Sequence, residues 1–188
     1  MKHSNTNALP FTTLTKLLYL YGFGMWMTII TFNNINDPET NIIFIKNMIE
    51  MNLFKPEAGV GAGLQLLWRA IKAPYLAGIL LWGVVIVELV IDFLMWRAFL
   101  SVLACAFRKE PLGLQTLKKV NLALSAMLFL FMMFITGGMW FAYWINQGAF
   151  QMVHLTAITI TMLGLIYFNQ DHFINNESQS RDKSRTRK

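Results

Sequence analysis

Long apolar runs separated by short polar segments dominate the pattern of this chain. The first charge-free stretch covers 17–36, and its apolar part, LLYLYGFGMWMTIITF, ends at Phe32. A second run begins after Lys72 and continues to about Trp96. No Asp, Glu, Lys or Arg occurs in 120–170, and at ~1.5 Å per residue a single helix over these 51 residues would be roughly 76 Å long. A bilayer holds about half of that length, so this stretch must fold back once.

The fold-back point lies in GGMWFAYWINQGAF, where glycines, Asn146 and Gln147 interrupt the apolar run. Because a crossing takes roughly 20 residues, the pattern predicts an all-α membrane protein, a four-transmembrane-helix bundle formed by a single integral membrane domain over 1–188. The predicted spans lie at about 13–32, 74–97, 119–138 and 150–168.

Composition agrees with a chain that lies mostly in lipid. Hydrophobic residues make up 55% of the sequence and charged residues only 14%, which is unusual for a soluble domain. The first run is too long for a signal peptide, and FNNINDPET follows it in place of a small-residue cleavage pattern. We therefore expect it to be a retained span.

The distribution of basic residues predicts the orientation. Twelve of the 16 lysines and arginines lie before residue 17, in 97–119 or after residue 170, and the remaining four lie in 46–72 among acidic residues. By the positive-inside rule both termini are expected to be cytoplasmic, and 33–73 is expected to be a loop on the opposite, outer side of the membrane. The basic segment 171–188 is expected to be a disordered cytoplasmic tail, for which contact with anionic lipid or nucleic acid is the second interpretation.

The first loop contains a helix start. Asp37 suits an N-cap, Pro38 the first helical position, and Glu39 the positive end of the helix dipole. Apolar residues then recur at helical spacing from Ile42 to Leu53, which predicts an amphipathic helix at the outer surface. It caps its own bundle, rests on headgroups or docks a partner protein. The glycines of KPEAGVGAGLQ lack the strand and the Gly-Lys-Ser/Thr of a phosphate loop, so they indicate a linker.

Aromatic residues and one arginine flank the predicted spans on the outer side. Such residues favour the membrane interface, where tryptophan and tyrosine present an apolar body and a polar edge and arginine extends its charge toward water. The candidate interface anchors are Trp68, Arg69, Trp140, Tyr143 and Trp144.

Two carboxylates, Glu88 and Asp92, lie inside the second span. An acid at the centre of a membrane helix costs about 2.5–3.5 kcal/mol, so neither is expected to face lipid. They are four residues apart and share one helix face, which allows them to share a proton. Their functional interpretation is a proton or cation site or a substrate contact; the structural one is hydrogen bonding between helices or pairing with another subunit. Candidate partners on other helices are four hydroxyls that lie within spans, those of Thr28, Thr31, Ser125 and Thr136.

The sequence offers few residues that could form a haem, metal or catalytic site. His154 is the one histidine within a span, whereas a membrane b-type haem usually takes two. Cys105 is the only cysteine, and the methionines are scattered among other apolar residues. No catalytic set can be assembled, so we expect no enzyme activity, cofactor or metal site.

Several segments together resemble a known family. FNNINDPETNIIFIKNMIEMNLF follows the first span, WRAI precedes the second, Glu88 lies within it, GGMWFAYWINQ follows the third, and YFNQD closes the fourth. In order and spacing these resemble the predicted small integral membrane proteins of bacteria that are catalogued as a domain of unknown function. The resemblance implies a four-helix inner-membrane protein without an assigned activity. In that family the position of Met139 is usually acidic, so a carboxylate role there is absent from this chain.

Taken together, the sequence predicts a non-enzymatic multi-pass inner-membrane protein that serves as an accessory or assembly subunit of a membrane complex or as a homo-oligomer. The alternative is a proton- or cation-coupled transporter or channel component that uses Glu88 and Asp92. The expected partners are the lipid bilayer and other membrane subunits or further copies of the chain. Nucleic acid is not expected as a partner.

Overall fold

Helices form every regular element in the computed structural model, which describes the backbone of residues 11–54 and 63–185 and the side chains of 12–54 and 63–170. The α-helices are α1 (Phe11–Asn36), α2 (Pro38–Ile49), α3 (Leu76–Arg108), α4 (Leu114–Trp140) and α5 (Gly148–Arg185), and short 3₁₀ helices cover Asn52–Phe54, Leu64–Arg69 and Tyr143–Ile145. Most of the predicted glycine linker falls on residues 55–62, outside the described residues.

Three helices in the described part of the chain are long and apolar enough to cross a membrane. They are Leu76–Arg108, Leu114–Trp140 and Gly148–Gln170. The remaining predicted span coincides with α1, whose 26 residues suffice in length. Tyrosines, glycines and threonines interrupt its apolar positions, so α1 is less apolar than the other three.

The helices extend beyond the spans predicted from apolar runs, because a helix ends at a breaker and not at the membrane surface. Helix α3 continues 11 residues past the predicted end at residue 97, to Arg108. It stops where Lys109 adopts the left-handed conformation (φ 57°) and donates its backbone N–H to the Ala106 carbonyl. Helix α1 likewise passes Phe32 and ends at Asn36.

The C-terminal segment differs from the predicted disordered tail. Helix α5 continues through Arg185, so the backbone of 171–185 is helical. The physical reason is the lack of a helix breaker: neither proline nor glycine occurs after Gly164.

Neighbouring long helices pack side by side along the chain order of the bundle. Helix α1 packs on α3, α3 on α4, and α4 on α5. The ring closes between α1 and α5, where the Tyr19 hydroxyl donates to the Ile160 carbonyl at 2.6 Å. The shared core includes Leu20, Met27, Met95, Val102, Leu124, Met127 and Phe168. Side chains of α1, α3, α4 and α5 therefore form one common core.

Helix α2 lies across one end of the bundle. It begins where the sequence predicts, since the Asp37 side chain accepts a hydrogen bond from the Thr40 backbone N–H and Pro38 occupies the first turn. Its buried Ile49 belongs to a second apolar cluster with Ala77 of α3 and Phe141 after α4. Helix α2 thus covers the end of α3 and the α4–α5 connection.

Candidate functional site

Glu88 lies on the core-facing stripe of α3. Buried residues recur along this helix at spacings of three and four, which is the periodicity of helices packed side by side. The stripe includes Leu81, Val85, Glu88, Ile91, Met95, Ala98 and Val102. Only 2% of Glu88 is exposed, so its carboxylate is inside the protein and away from lipid.

The partner of Glu88 is an amide from α1. The Asn34 side chain donates to both carboxylate oxygens, at 2.9 Å to Oε1 and 2.8 Å to Oε2. Asn34 is itself buried, and its own amide oxygen accepts a hydrogen bond from the Asn41 side chain of α2. Three helices are therefore joined through one buried chain of polar groups.

Asp92 lies one turn further along α3 and is less enclosed. Its Oδ1 accepts a hydrogen bond from the Thr28 hydroxyl at 3.2 Å, and that hydroxyl oxygen accepts one from the Trp96 indole N–H at 3.0 Å. The buried Thr31 side chain lies beside the same carboxylate. Asp92 remains partly exposed on the outside of the bundle. One edge of its carboxylate is therefore open to the surroundings, whereas the carboxylate of Glu88 is enclosed by protein.

The structure brings together some of the partners predicted for the carboxylates. Thr28 and Thr31 lie beside Asp92. Ser125 is exposed on α4, and Thr136 donates back to the Met132 carbonyl of its own helix. These two predicted partners are wrong, because their helix faces point away from α3.

Sequence reasoning missed the partner of Glu88. Asn34 and Asn41 lie beyond Phe32, where the first apolar run ends, so the apolar pattern places both of them in the loop. A usable signal exists: Thr28, Thr31 and Asn34 recur every three residues and form a polar stripe on one face of α1. Such a stripe in an apolar helix indicates a polar partner on the neighbouring helix.

Three of the predicted interface anchors meet at the α2 end of the bundle. The Arg69 guanidinium packs against two indole rings, 5.3 Å from the Trp68 centroid and 5.0 Å from the Trp140 centroid, and the two rings contact each other edge to face. Its Nη1 donates to the Trp140 carbonyl at 3.1 Å, at the C-terminal end of α4. The cation thus lies at the negative end of the α4 dipole.

The other two anchors have different surroundings. Trp144 is about half exposed, whereas Tyr143 is 4% exposed. The Tyr143 ring packs against Gly138, and its hydroxyl lies 3.4 Å from Nδ1 of His154. Tyr143 therefore packs inside the protein, which differs from the interface position predicted for it, because a glycine in α4 leaves room for its ring.

The chemistry available at the site is that of two carboxyl groups one helical turn apart, each held by a donor from α1. Asn34 and Thr28 are six residues apart on α1 and face acids four residues apart on α3. Each pair joins α1 to α3 at its own level along the two helices. They also form a file of polar groups in an otherwise apolar interface.

Comparison with known proteins agrees with this architecture. Residues 12–171 match the profile of the family DUF2165, which is described as a predicted small integral membrane protein. The comparisons with curated proteins and with solved structures each give no match. The matched range includes all of α2, α3 and α4 and most of α1, and the resemblance inferred from the sequence is confirmed. The chain belongs to the DUF2165 family of predicted small integral membrane proteins.

Proposed function

We propose that this protein crosses the bacterial inner membrane four times, with α1 as the first crossing and both termini in the cytoplasm. Contacts along the apolar part of α3 support the crossing by α1. Thr28 meets Asp92, and Tyr21 packs on Phe99 at 6.0 Å between ring centroids. Residues later in α1 contact residues earlier in α3, so α1 runs antiparallel to α3 along its apolar part.

Basic residues on three helices support a common membrane level. Arg97 lies 21 residues after Leu76, Lys119 lies 21 residues before Trp140, and Lys16 lies 20 residues before Asn36. At ~1.5 Å per residue each interval is about 30–32 Å, which is the thickness of the hydrocarbon core. With this placement the end that α2 covers is periplasmic, and α2 is the amphipathic helix at the outer surface.

Within the membrane, the protein serves as a non-enzymatic subunit that associates with a second membrane-protein chain. The observation that carries this proposal is the open edge of Asp92. Glu88 is closed by Asn34, but Asp92 is partly exposed at a level where the surrounding solvent is lipid. An acid facing hydrocarbon is unfavourable, by up to about 2.5–3.5 kcal/mol at the centre of a span, so a neighbouring chain that covers Asp92 gains stability.

The mass of the purified particle tests this association. In mild detergent the full-length protein is expected to exceed its 21.6 kDa monomer mass, and Asp92→Leu is expected to shift the particle to the monomer. Light scattering corrected for detergent gives the mass, and mass spectrometry of the peak shows whether the added chain is a second copy or another protein. Ser125→Leu, an exposed polar position on α4, is the matched control and should keep the wild-type mass. A monomeric wild type, or an unchanged Asp92→Leu particle, contradicts the proposal.

A second candidate is a proton- or cation-coupled transporter component. It is favoured by the file of polar side chains that runs from Asn41 through Asn34 to Glu88, with Asp92 one turn further. Intramembrane acids joined by hydrogen bonds are typical of ion pathways. In this function Glu88 carries the ion, and Asn34 opens and closes the route to it.

Flux across proteoliposomes tests the second candidate. A pH-sensitive dye trapped inside should report wild-type proton flux above that of protein-free vesicles, and Glu88→Gln should abolish it because an amide cannot release a proton. Glu50→Gln is the control, since Glu50 accepts a hydrogen bond from Asn52 outside the spans. Wild-type flux equal to that of empty vesicles, or undiminished flux in Glu88→Gln, removes the transporter function.

A further inference from the structure

The outward face of α3 carries a groove that neither α1 nor α4 fills. Its volume is about 440 Å³, and it is a shallow groove that is open along the helix surface. The lining residues are Phe93, Trp96, Arg97, Leu100, Ser101 and Ala104. Apart from Arg97 and Ser101 the walls are apolar or aromatic, and Phe93 and Leu100 are both largely exposed. We call this feature the α3 groove.

Polar groups gather at one side of the α3 groove. Lys119 of α4 donates from Nζ to the Ser101 hydroxyl at 2.9 Å, and that hydroxyl donates to the Arg97 carbonyl at 2.9 Å. The Arg97 side chain is exposed. An arginine and a lysine from two helices therefore stand at the same edge of an apolar groove.

Position along the helices places this edge at headgroup level. Arg97 and Lys119 are each 21 residues from the opposite ends of their helices, about one hydrocarbon thickness at ~1.5 Å per residue. At this level an arginine extends into the headgroups and a tryptophan such as Trp96 suits the interface. The apolar walls of the groove then lie beside the acyl chains.

We propose that the α3 groove is a binding site for one anionic phospholipid, with an acyl chain along Phe93, Leu100 and Ala104 and the phosphate at Arg97 and Lys119. Charge complementarity selects the headgroup, because a guanidinium can hold a phosphate through two parallel hydrogen bonds. A zwitterionic lipid fits the same apolar walls but adds a cation beside two existing ones. The site lies on the face of α3 opposite the core stripe of Met95 and Val102. Its wall residue Trp96 borders the Asp92 site through Thr28, but lipid binding here does not require a second chain at Asp92.

Native mass spectrometry of the full-length protein in detergent tests the site. Phosphatidylglycerol and phosphatidylcholine with identical acyl chains are added at equal concentration, and one retained phosphatidylglycerol is expected to dominate. Arg97→Gln should weaken phosphatidylglycerol binding by roughly tenfold or more, which is the usual effect of losing a charge-assisted hydrogen bond. Phosphatidylcholine binding should fall less in that variant, because the choline cation already offsets the attraction of its phosphate to Arg97.

Two further variants separate the headgroup from the groove. Arg108→Gln removes an exposed arginine that does not line the groove and lies roughly 16 Å beyond Arg97 along α3, and it should keep the wild-type preference. Ala104→Trp fills the groove without changing charge and should lower retention of both lipids. Equal losses in Arg97→Gln and Arg108→Gln, or no headgroup preference in the wild type, overturn the proposal. A second chain that leaves the particle in Ala104→Trp, with lipid retention unaltered, would show a protein in the groove and would likewise overturn it.

Discussion

Asn34→Leu is expected to lower the free energy of unfolding by about 1–3 kcal/mol, the cost of leaving a buried polar group without its partner. Both oxygens of Glu88 accept from the Asn34 amide, and Glu88 is 2% exposed, so water cannot replace the lost donor. Unfolding of the purified protein by sodium dodecyl sulfate, followed by circular dichroism, gives the change.

Two variants serve as controls for this result. Asn33→Leu changes the neighbouring exposed asparagine and should shift stability by no more than about 0.5 kcal/mol. The double variant Asn34→Leu/Glu88→Leu removes the acid together with its donor and should recover most of the loss, because an apolar pair leaves no unsatisfied charge. A double variant as unstable as Asn34→Leu alone would show that the hydrogen bonds are not the cause.

Gly138→Ala is expected to destabilise the bundle by about 1–3 kcal/mol, the typical result of overpacking a filled site. A Cβ atom at Gly138 would lie 2.5 Å from Cε1 of the Tyr143 ring, closer than real Cβ contacts allow. Tyr143 is buried and its ring stacks near His154, so it cannot swing aside freely. The unfolding midpoint in sodium dodecyl sulfate measures the loss.

The adjacent glycine provides the matched control. Nothing lies within 4 Å of a Cβ atom at Gly137, which is also inside α4. Gly137→Ala should therefore leave stability unchanged or raise it by up to about 1 kcal/mol, because alanine loses less backbone entropy in a helix. If both alanine variants shift stability in the same direction, close packing of Tyr143 against position 138 is not the cause of the change.

Prediction from sequence succeeded for features that depend only on residues within a single helix. The apolar runs after Lys72 and over 120–170 became α3, α4 and α5, and the break at Gly148 is where α5 begins. Asp37 and Pro38 predicted the start of α2 from local capping chemistry alone. Helix ends were less predictable, since α3 continues to Arg108 and α5 to Arg185. The length of an apolar run reflects the thickness of the hydrocarbon core, whereas the length of a helix depends on where the next helix-breaking residue occurs.

Prediction from sequence was weaker at the candidate site, where two helices decide the outcome. Glu88 and Asp92 could be recognised because acids are rare in apolar runs, and their spacing of four placed them on one face. Their environments nevertheless differ: Glu88 is closed by Asn34, and Asp92 is partly open beside Thr28. Two residues of the same chemistry, one turn apart, acquire different surroundings because the buried stripe of α3 includes position 88 and not position 92.

The sequence by itself determined that the chain is a helical membrane protein with acids inside an apolar helix, because hydropathy, helix breakers and capping residues act within a few residues of one another. Only the tertiary structure decided which donor reaches which acid, that Arg69 packs against both Trp68 and Trp140, and that Tyr143 turns inward. These contacts depend on the register between helices. That register is set by many small packing interactions between distant segments, and no local pattern in the chain specifies it.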